Sequence, residues 1–167
     1  MLIAFNKPYG VLSQFTPEGR WRGLKDHIDL PGVYVAGRLD ADSEGLLLLT
    51  TDGALAQRLM SPKTGLERVY RVRVFGALTA EQEDKIRKGA TVEGTRYKPA
   101  KLELEKGGVG QNRWYRITLT EGKYREVRKI FMHFRCTVNR LIRTSYGPFM
   151  LGEIPRGKVG EVSKSGV

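Results

Sequence analysis

The loop with the densest reactive chemistry in the sequence runs from Gly37 to Thr50 and reads GRLDADSEGLLLLT. Six of its side chains are ionisable or carry a hydroxyl, and Asp40 is the first carboxylate among them. Apolar segments at residues 33–36 and 46–49 predict a short buried strand on each side. A polar loop held between two core strands can place a carboxylate rigidly in a cleft, where it would suit a nucleophile or a general base. The same pattern also fits an ordinary turn with a salt bridge.

A second group of potentially functional side chains lies at residues 121–134. Apolar side chains recur at helical spacing from Tyr124 to Phe134, which predicts an amphipathic helix. Basic residues flank its apolar face: Arg125, Arg128, Lys129 and Arg135. They are either the solvated charges of a surface helix or cations that approach phosphate beside the helix N-terminus. His133 is more typical of a surface or packed histidine than of a base, and no His, Cys and Asp cluster has metal-ligand spacing.

Strands are expected to position both groups. Residues 68–75 alternate, with Arg71 and Arg73 on a wet face and Tyr70 on the apolar face. The remaining strands are expected in three segments: residues 2–7, residues 91–120 with a glycine-rich hairpin tip at 107–110, and residues 137–159 with a turn between two strands.

Three further helices are expected. Residues 24–30 predict a short helix, and residues 54–60 predict one capped by Thr51-Asp52-Gly53. The third has Thr79 as its N-cap, with Gln82 in the position of a capping box, and ends at Gly89.

The charge of the chain is unevenly distributed. The net charge is +11, yet residues 1–60 carry −1, whereas residues 61–120 and 121–167 carry +6 each. A folded domain this basic indicates a polyanionic partner first of all, most often a nucleic acid. The alternative is that the excess charge only maintains solubility.

The chain of 167 residues is long enough for one domain, or for one domain of two lobes. Cys136 is the single cysteine, which excludes an internal disulfide, fits a reducing compartment and is expected to serve in packing. We see no charged segment followed by an apolar run, as a signal peptide requires, and no window of about 18 apolar residues. The cytoplasm is therefore the expected compartment.

Several blocks of the sequence together resemble one family. They are residues 6–10 (NKPYG), 37–50 (GRLDADSEGLLLLT), Tyr70, 121–129 (EGKYREVRK) and 141–148 (LIRTSYGP). In this order they resemble the RsuA/RluB/RluE/RluF group of pseudouridine synthases over nearly the whole chain. Residues 5–16 (FNKPYGVLSQFT) look most like the RluE branch, which modifies large-subunit ribosomal RNA.

The resemblance implies an α+β fold, with two lobes that share a mixed, mainly antiparallel sheet and an active-site cleft between them. Residues 1–167 would form a single catalytic domain, with lobes at approximately 1–66 and 67–167 and no S4-type RNA-binding domain in front. It also implies that a uridine of 23S ribosomal RNA, flipped out of its stack, is isomerised to pseudouridine without a metal or an organic cofactor. We expect a monomer with no membrane partner.

The motif match also implies roles for individual residues. Asp40 matches the catalytic aspartate, and Tyr70 the tyrosine that packs on the target base and could relay its proton. Val127 matches the aliphatic residue beneath that base, Arg128 the basic residue that pairs with the aspartate, and Arg38 an arginine that holds the place of the flipped nucleotide. RNA contacts are expected from a set of basic side chains: Arg38, Lys7, Lys123, Arg125, Lys129, Arg140 and Arg143.

One residue departs from the family pattern, and two other functions compete with this one. Glu126 stands where a glutamine is usual, which brings a negative charge close to the expected site. A non-catalytic RNA-binding or ribosome-assembly protein would use the same charges and aromatic residues. A glycoside or nucleoside hydrolase would need paired carboxylates, and Asp42 and Glu44 lie near enough to Asp40 in sequence for such a pairing.

Overall fold

We describe residues 1–107 and 111–164 of the chain from a computed structural model. The strands are β1 (Leu2–Lys7), β2 (Tyr34–Ala36), β3 (Glu44–Thr50), β4 (Arg68–Phe75), β5 (Thr91–Val92), β6 (Thr95–Arg96), β7 (Lys101–Gly107), β8 (Asn112–Leu119), β9 (Thr137–Tyr146), β10 (Phe149–Met150), β11 (Val159–Glu161) and β12 (Ser163–Lys164). The α-helices are α1 (Gly53–Met60), α2 (Ala80–Lys88) and α3 (Glu126–His133), and two 3-10 helices lie at Leu24–Asp26 and Pro62–Thr64. A mixed sheet with three α-helices confirms the predicted α+β class.

The chain divides into two compact units. Unit 1 contains Met1–Leu66 together with Ile142–Val167, and unit 2 contains Glu67–Leu141. The boundary between Leu66 and Glu67 falls at the position where the lobe boundary was expected. Residues 142–167, which were expected in the second lobe, belong instead to unit 1, because β9 runs from one unit into the other and its second half pairs with β3.

Unit 1 is organised around β3, which is buried along its whole length. One neighbour, β1, is antiparallel to it, while β9 is parallel to it at Glu44 and Gly45. The run of four leucines at 46–49 fills cores on both sides of the strand, because successive side chains point to opposite faces. Asp52 caps the N-terminus of helix α1, and its carboxylate accepts hydrogen bonds from the N–H groups of Ala54 and Leu55.

Unit 2 contains the antiparallel strands β4, β8 and β7, with β8 in the middle. Its core contains apolar residues of α2 and α3 together with Val72, Val74, Tyr115 and Ile117. Helix α2 has the predicted capping box between Thr79 and Gln82 and ends at Gly89. Cys136 is buried in this core, which confirms its predicted packing role.

Two predicted helices differ from the observed ones. Residues 24–30 form only the 3-10 turn Leu24–Asp26. Helix α3 begins at Glu126, because Arg125 adopts the left-handed conformation (φ 49°) and turns the chain just before it, so Tyr124 lies outside the helix and is 73% exposed. Residues 108–110 of the predicted hairpin tip at 107–110 lie outside the described residues. No described helix has the length and apolar character needed to cross a membrane.

Candidate active site

The predicted catalytic loop occupies residues 37–43, between β2 and β3. Two glycines with positive φ flank it: Gly37 (84°) is its first residue, and Gly45 (105°) follows its last residue as the second residue of β3. A Cβ at Gly45 would come within 2.3 Å of the backbone oxygen of Arg143, and a Cβ at Gly37 would come within 2.6 Å of the Tyr146 ring. Both ends of the loop therefore lie so close to β9 that a side chain would displace them.

Arg143 ties these two ends together. Its guanidinium is buried, and Nε donates to the backbone oxygen of Leu46 at 3.0 Å while a terminal nitrogen donates to that of Gly37 at 2.6 Å. The same guanidinium lies 4.9 Å from the centre of the Tyr146 ring. The hydroxyl of Tyr146 in turn donates to the backbone oxygen of Leu59 at 2.8 Å. Arg143 and Tyr146 thus fix where the loop begins and ends.

Asp40 follows an anchored residue. Leu39 is buried, its N–H donates to Oγ of Ser13 at 2.9 Å, and the Ser13 hydroxyl donates to the backbone oxygen of Leu39 at 2.7 Å. The N–H of Ser43 donates to the backbone oxygen of Asp40 at 3.0 Å and closes the turn. Asp40 itself is half-buried, whereas Arg38 is exposed. A half-buried carboxylate on a backbone held at both ends can act on a substrate atom as a nucleophile or as a base.

Lys7 lies buried beneath this loop. Its Nζ donates to the backbone oxygens of Val11 (2.5 Å), Pro8 (3.1 Å) and Ala41 (3.4 Å). Burial lowers the pKa of Lys7 from 10.5 to about 8, although the negative charges of Asp42, Glu44 and Asp40 act in the opposite direction. A buried cation is therefore under the electrostatic influence of Asp40 and Asp42 in the loop and of Glu44 at the start of β3.

Tyr70, Val127 and Arg128 all belong to unit 2. Tyr70 is half-buried and packs against the core on the same face as Val72 and Val74. Val127 is buried in that core near the start of α3, and Arg128 beside it is half-buried. Tyr70 and Val127 thus pack in the same hydrophobic core.

Glu126 is a buried carboxyl at the first position of α3. Its Oε1 accepts from the N–H of Lys123 at 3.2 Å, and among the described residues its Oε2 is buried without a hydrogen-bond partner. Burial raises the pKa of Glu126 to about 7, and the negative charge of Glu121 acts in the same direction. Glu126 thus holds the turn that precedes Val127 and Arg128.

The basic residues predicted to bind RNA fall into two groups. Arg38, Lys123 and Lys129 are exposed, and Arg125 and Arg140 are half-buried. The prediction is corrected for the two others, Lys7 and Arg143, which are 0% and 2% exposed. Since their nitrogens donate to backbone carbonyl oxygens of unit 1, their role is to support the loop from within.

Sequence reasoning missed other supports of the loop. Ser13 and Tyr146 hold it through contacts between residues that are distant in sequence, and no local pattern marks either of them. Glu44 begins β3, and its carboxylate lies 3.8 Å from a guanidinium nitrogen of Arg156. Within 1–107 and 111–164, no group of three or more His, Cys, Asp or Glu side chains could hold a metal ion.

Comparison with known proteins identifies the family. The family model described as RNA pseudouridylate synthase matches residues 1–133, about four-fifths of the chain. The chain belongs to the RNA pseudouridylate synthase family. This membership makes it an RNA pseudouridine synthase and confirms the predicted resemblance.

Several named relatives of this pseudouridine synthase are ribosomal large subunit pseudouridine synthases. It is 38% identical to ribosomal large subunit pseudouridine synthase E of Vibrio parahaemolyticus, with 96% of this chain and 73% of the relative covered. It is 43% identical to ribosomal large subunit pseudouridine synthase B of Yersinia pestis, of which it spans 50% while 93% of this chain is covered. These matches give no support to a non-catalytic RNA-binding protein.

A solved structure supports the fold of this pseudouridine synthase. The crystal structure of a pseudouridylate synthase superimposes with a TM-score of 0.85 at 28% identity, covering 97% of this chain and 70% of that one. A chain of an archaeal box H/ACA Nop10-Cbf5 complex has the same fold at a TM-score of 0.64 and 19% identity, with 91% and 49% covered.

Proposed function

We propose that this pseudouridine synthase isomerises a specific uridine of large-subunit (23S) ribosomal RNA and that Asp40 is its catalytic carboxylate. The observation that carries the assignment is the loop geometry. Asp40 is half-buried between the anchored Leu39 and the turn closed by Ser43, and both loop ends are fixed against β9. The names of relatives E and B support the ribosomal substrate.

The reaction breaks the bond between N1 of uracil and C1′ of the ribose and forms a bond between C5 and C1′. The C5 proton leaves and N1 gains one, so the isomerisation involves no net oxidation. Asp40 either attacks C1′ as a nucleophile or removes the C2′ proton to give a glycal intermediate. In both routes the target uridine must first leave its stack, at a cost of a few kcal/mol.

The residues of unit 2 would retain the detached base. Tyr70 offers a flat aromatic ring at the edge of an apolar core, and its hydroxyl is suited to relay the C5 proton. Val127 would lie beneath the base, and Arg128 would pair with Asp40 and hold it in the charged form. Arg38 would occupy the space that the flipped nucleotide vacates, since it is exposed on the catalytic loop.

Phosphate contacts would offset the cost of extrusion. The net charge of +11 and the accessible cations Arg38, Lys123, Arg125, Lys129 and Arg140 favour binding to the RNA backbone. We expect the protein to act as a monomer on ribosomal RNA in the cytoplasm.

Two substitutions in the loop test the proposal. Asp40→Asn should abolish pseudouridine formation in a 23S ribosomal RNA transcript while RNA binding stays within about twofold, because the amide keeps the shape of the carboxylate. Asp42→Asn is the matched control and should retain activity. Pseudouridines are mapped on the RNA after incubation with each protein. Wild-type activity in Asp40→Asn would refute the catalytic assignment, and release of free uracil by the wild type would indicate a hydrolase instead.

A further inference from the structure

A cavity of about 310 Å³ lies on unit 2 beside the solvent-facing part of α3. The β5–β6 hairpin contributes Val92 and Glu93 to its wall. One stripe of α3 contributes the rest: Arg128, Lys129, Met132 and His133. The volume is at the lower end of the roughly 300–1,000 Å³ found for small-molecule sites, so the cavity suits a single group the size of a nucleotide.

The lining combines an apolar surface with positive charge. Met132 is 55% exposed although it is a large apolar residue, and the more deeply buried Val92 lines the same cavity. Two cationic side chains, Arg128 and Lys129, line the same space. A planar base could cover the apolar part while its phosphate lies against the cations.

Glu93 gives the cavity an acceptor as well. It occupies the first central position of a two-residue hairpin turn, where Glu93 (φ 50°) and Gly94 (φ 82°) both have positive φ. Asn or Asp is usual there, and a longer side chain in this conformation is strained, as is common at binding sites. A carboxylate would repel a bare phosphate, but it accepts hydrogen bonds from the N–H groups of a base edge.

We propose that this cavity binds one unpaired nucleotide of the RNA substrate, with its base on Val92 and Met132 and its phosphate near Lys129. The proposal rests on the proposed function, because the RNA substrate supplies the nucleotide. An adjacent stacking surface supports it: Tyr124 is 73% exposed, and Nζ of Lys129 lies 4.9 Å from the centre of its ring. The next nucleotide of a single strand could stack on Tyr124.

Thiol protection tests the occupancy of the cavity directly. Cys136 is the only cysteine of the chain and is 1% exposed, so Met132→Cys introduces the one accessible thiol. Lys85→Cys on α2 is the control, since Lys85 is exposed and does not line the cavity. A saturating 23S ribosomal RNA transcript should slow maleimide labelling of Met132→Cys at least tenfold and that of Lys85→Cys less than twofold. Equal labelling with and without RNA, or equal protection at both positions, would overturn the proposal.

A second pair of variants measures the contribution to affinity. Met132→Glu should weaken binding of the transcript about tenfold, because it places a negative charge where the nucleotide lies. Ala80→Glu adds the same charge at an exposed position of α2 and should change binding less than twofold. Unchanged binding by Met132→Glu would also overturn the proposal.

Arg128 is left intact in all these proteins because it is expected to take part in catalysis. Pseudouridine formation is assayed separately from protection. RNA protection of Met132→Cys without any pseudouridine from the wild type would refute the proposed function and still support the cavity as a nucleotide site.

Discussion

Replacing Glu126 with glutamine should stabilise the protein more at alkaline than at acidic pH. Glu126 is 3% exposed, and its pKa in the folded protein is about 7 instead of 4.5. Between these two values the folded state binds more protons than the unfolded state, so the stability that this group contributes falls as the pH rises from 4.5 towards 7. Glutamine cannot ionise, and its Oε1 can accept the same hydrogen bond from the N–H of Lys123.

The size of the effect follows from the difference in pKa. A shift of about 2.5 units corresponds to about 3 kcal/mol, of which about 2 kcal/mol should be lost between pH 5.5 and pH 8. The free energy of unfolding of Glu126→Gln, relative to that of the wild type, should therefore rise by about 2 kcal/mol from pH 5.5 to pH 8.

Urea unfolding at pH 5.5 and pH 8, followed by circular dichroism, measures this gain. Glu153→Gln is the control, because Glu153 is exposed, and its stability relative to the wild type should stay within about 0.5 kcal/mol at both pH values. If the stability of Glu126→Gln differs from that of the wild type by the same amount at pH 5.5 and pH 8, the pKa of Glu126 is not raised in the folded protein and the prediction is refuted.

Three substitutions in unit 1 test the supports of the Asp40 loop. Arg143→Met should lower the free energy of unfolding by about 2 kcal/mol through two lost hydrogen bonds to the backbone, while the dependence of RNA binding on salt stays unchanged; a shallower salt dependence would restore Arg143 as a phosphate contact. Gly45→Ala should cost about 3 kcal/mol because of the 2.3 Å approach to Arg143, and wild-type thermal stability would contradict that packing. Lys7→Met should cost about 2 kcal/mol at pH 7. Because the unfolded state binds more protons than the folded state between pH 8 and pH 10.5, this loss should grow over that range in denaturant titrations, and a constant difference would contradict the lowered pKa of Lys7.

Local patterns predicted the elements that depend on local interactions. The alternation of residues 68–75 and the capping box at Thr79 each depend on neighbours within a few residues, and both occur in the structure. The start of α3 was predicted too early, because the apolar spacing continues to Tyr124 and hides the left-handed turn at Arg125.

Long-range supports of the candidate site could not be predicted in the same way. Arg143 and Leu46 are 97 positions apart, and only the parallel register of β3 and β9 brings them together. Lys7 and Arg143 were expected to contact RNA, and basic side chains are usually solvated. Their burial depends on carbonyl groups that the fold directs at them, which the residue types do not reveal.

The path of the chain through the two units bears on the order in which the protein can fold during synthesis. Unit 2 is one continuous segment, whereas unit 1 is interrupted and is completed only by residues after 141. The Asp40 loop is made early, but Arg143 and Tyr146, which fix its ends, emerge from the ribosome about a hundred residues later. Unit 2 can thus become compact first, and Asp40 reaches its final position only after Arg143 and Tyr146 have been made.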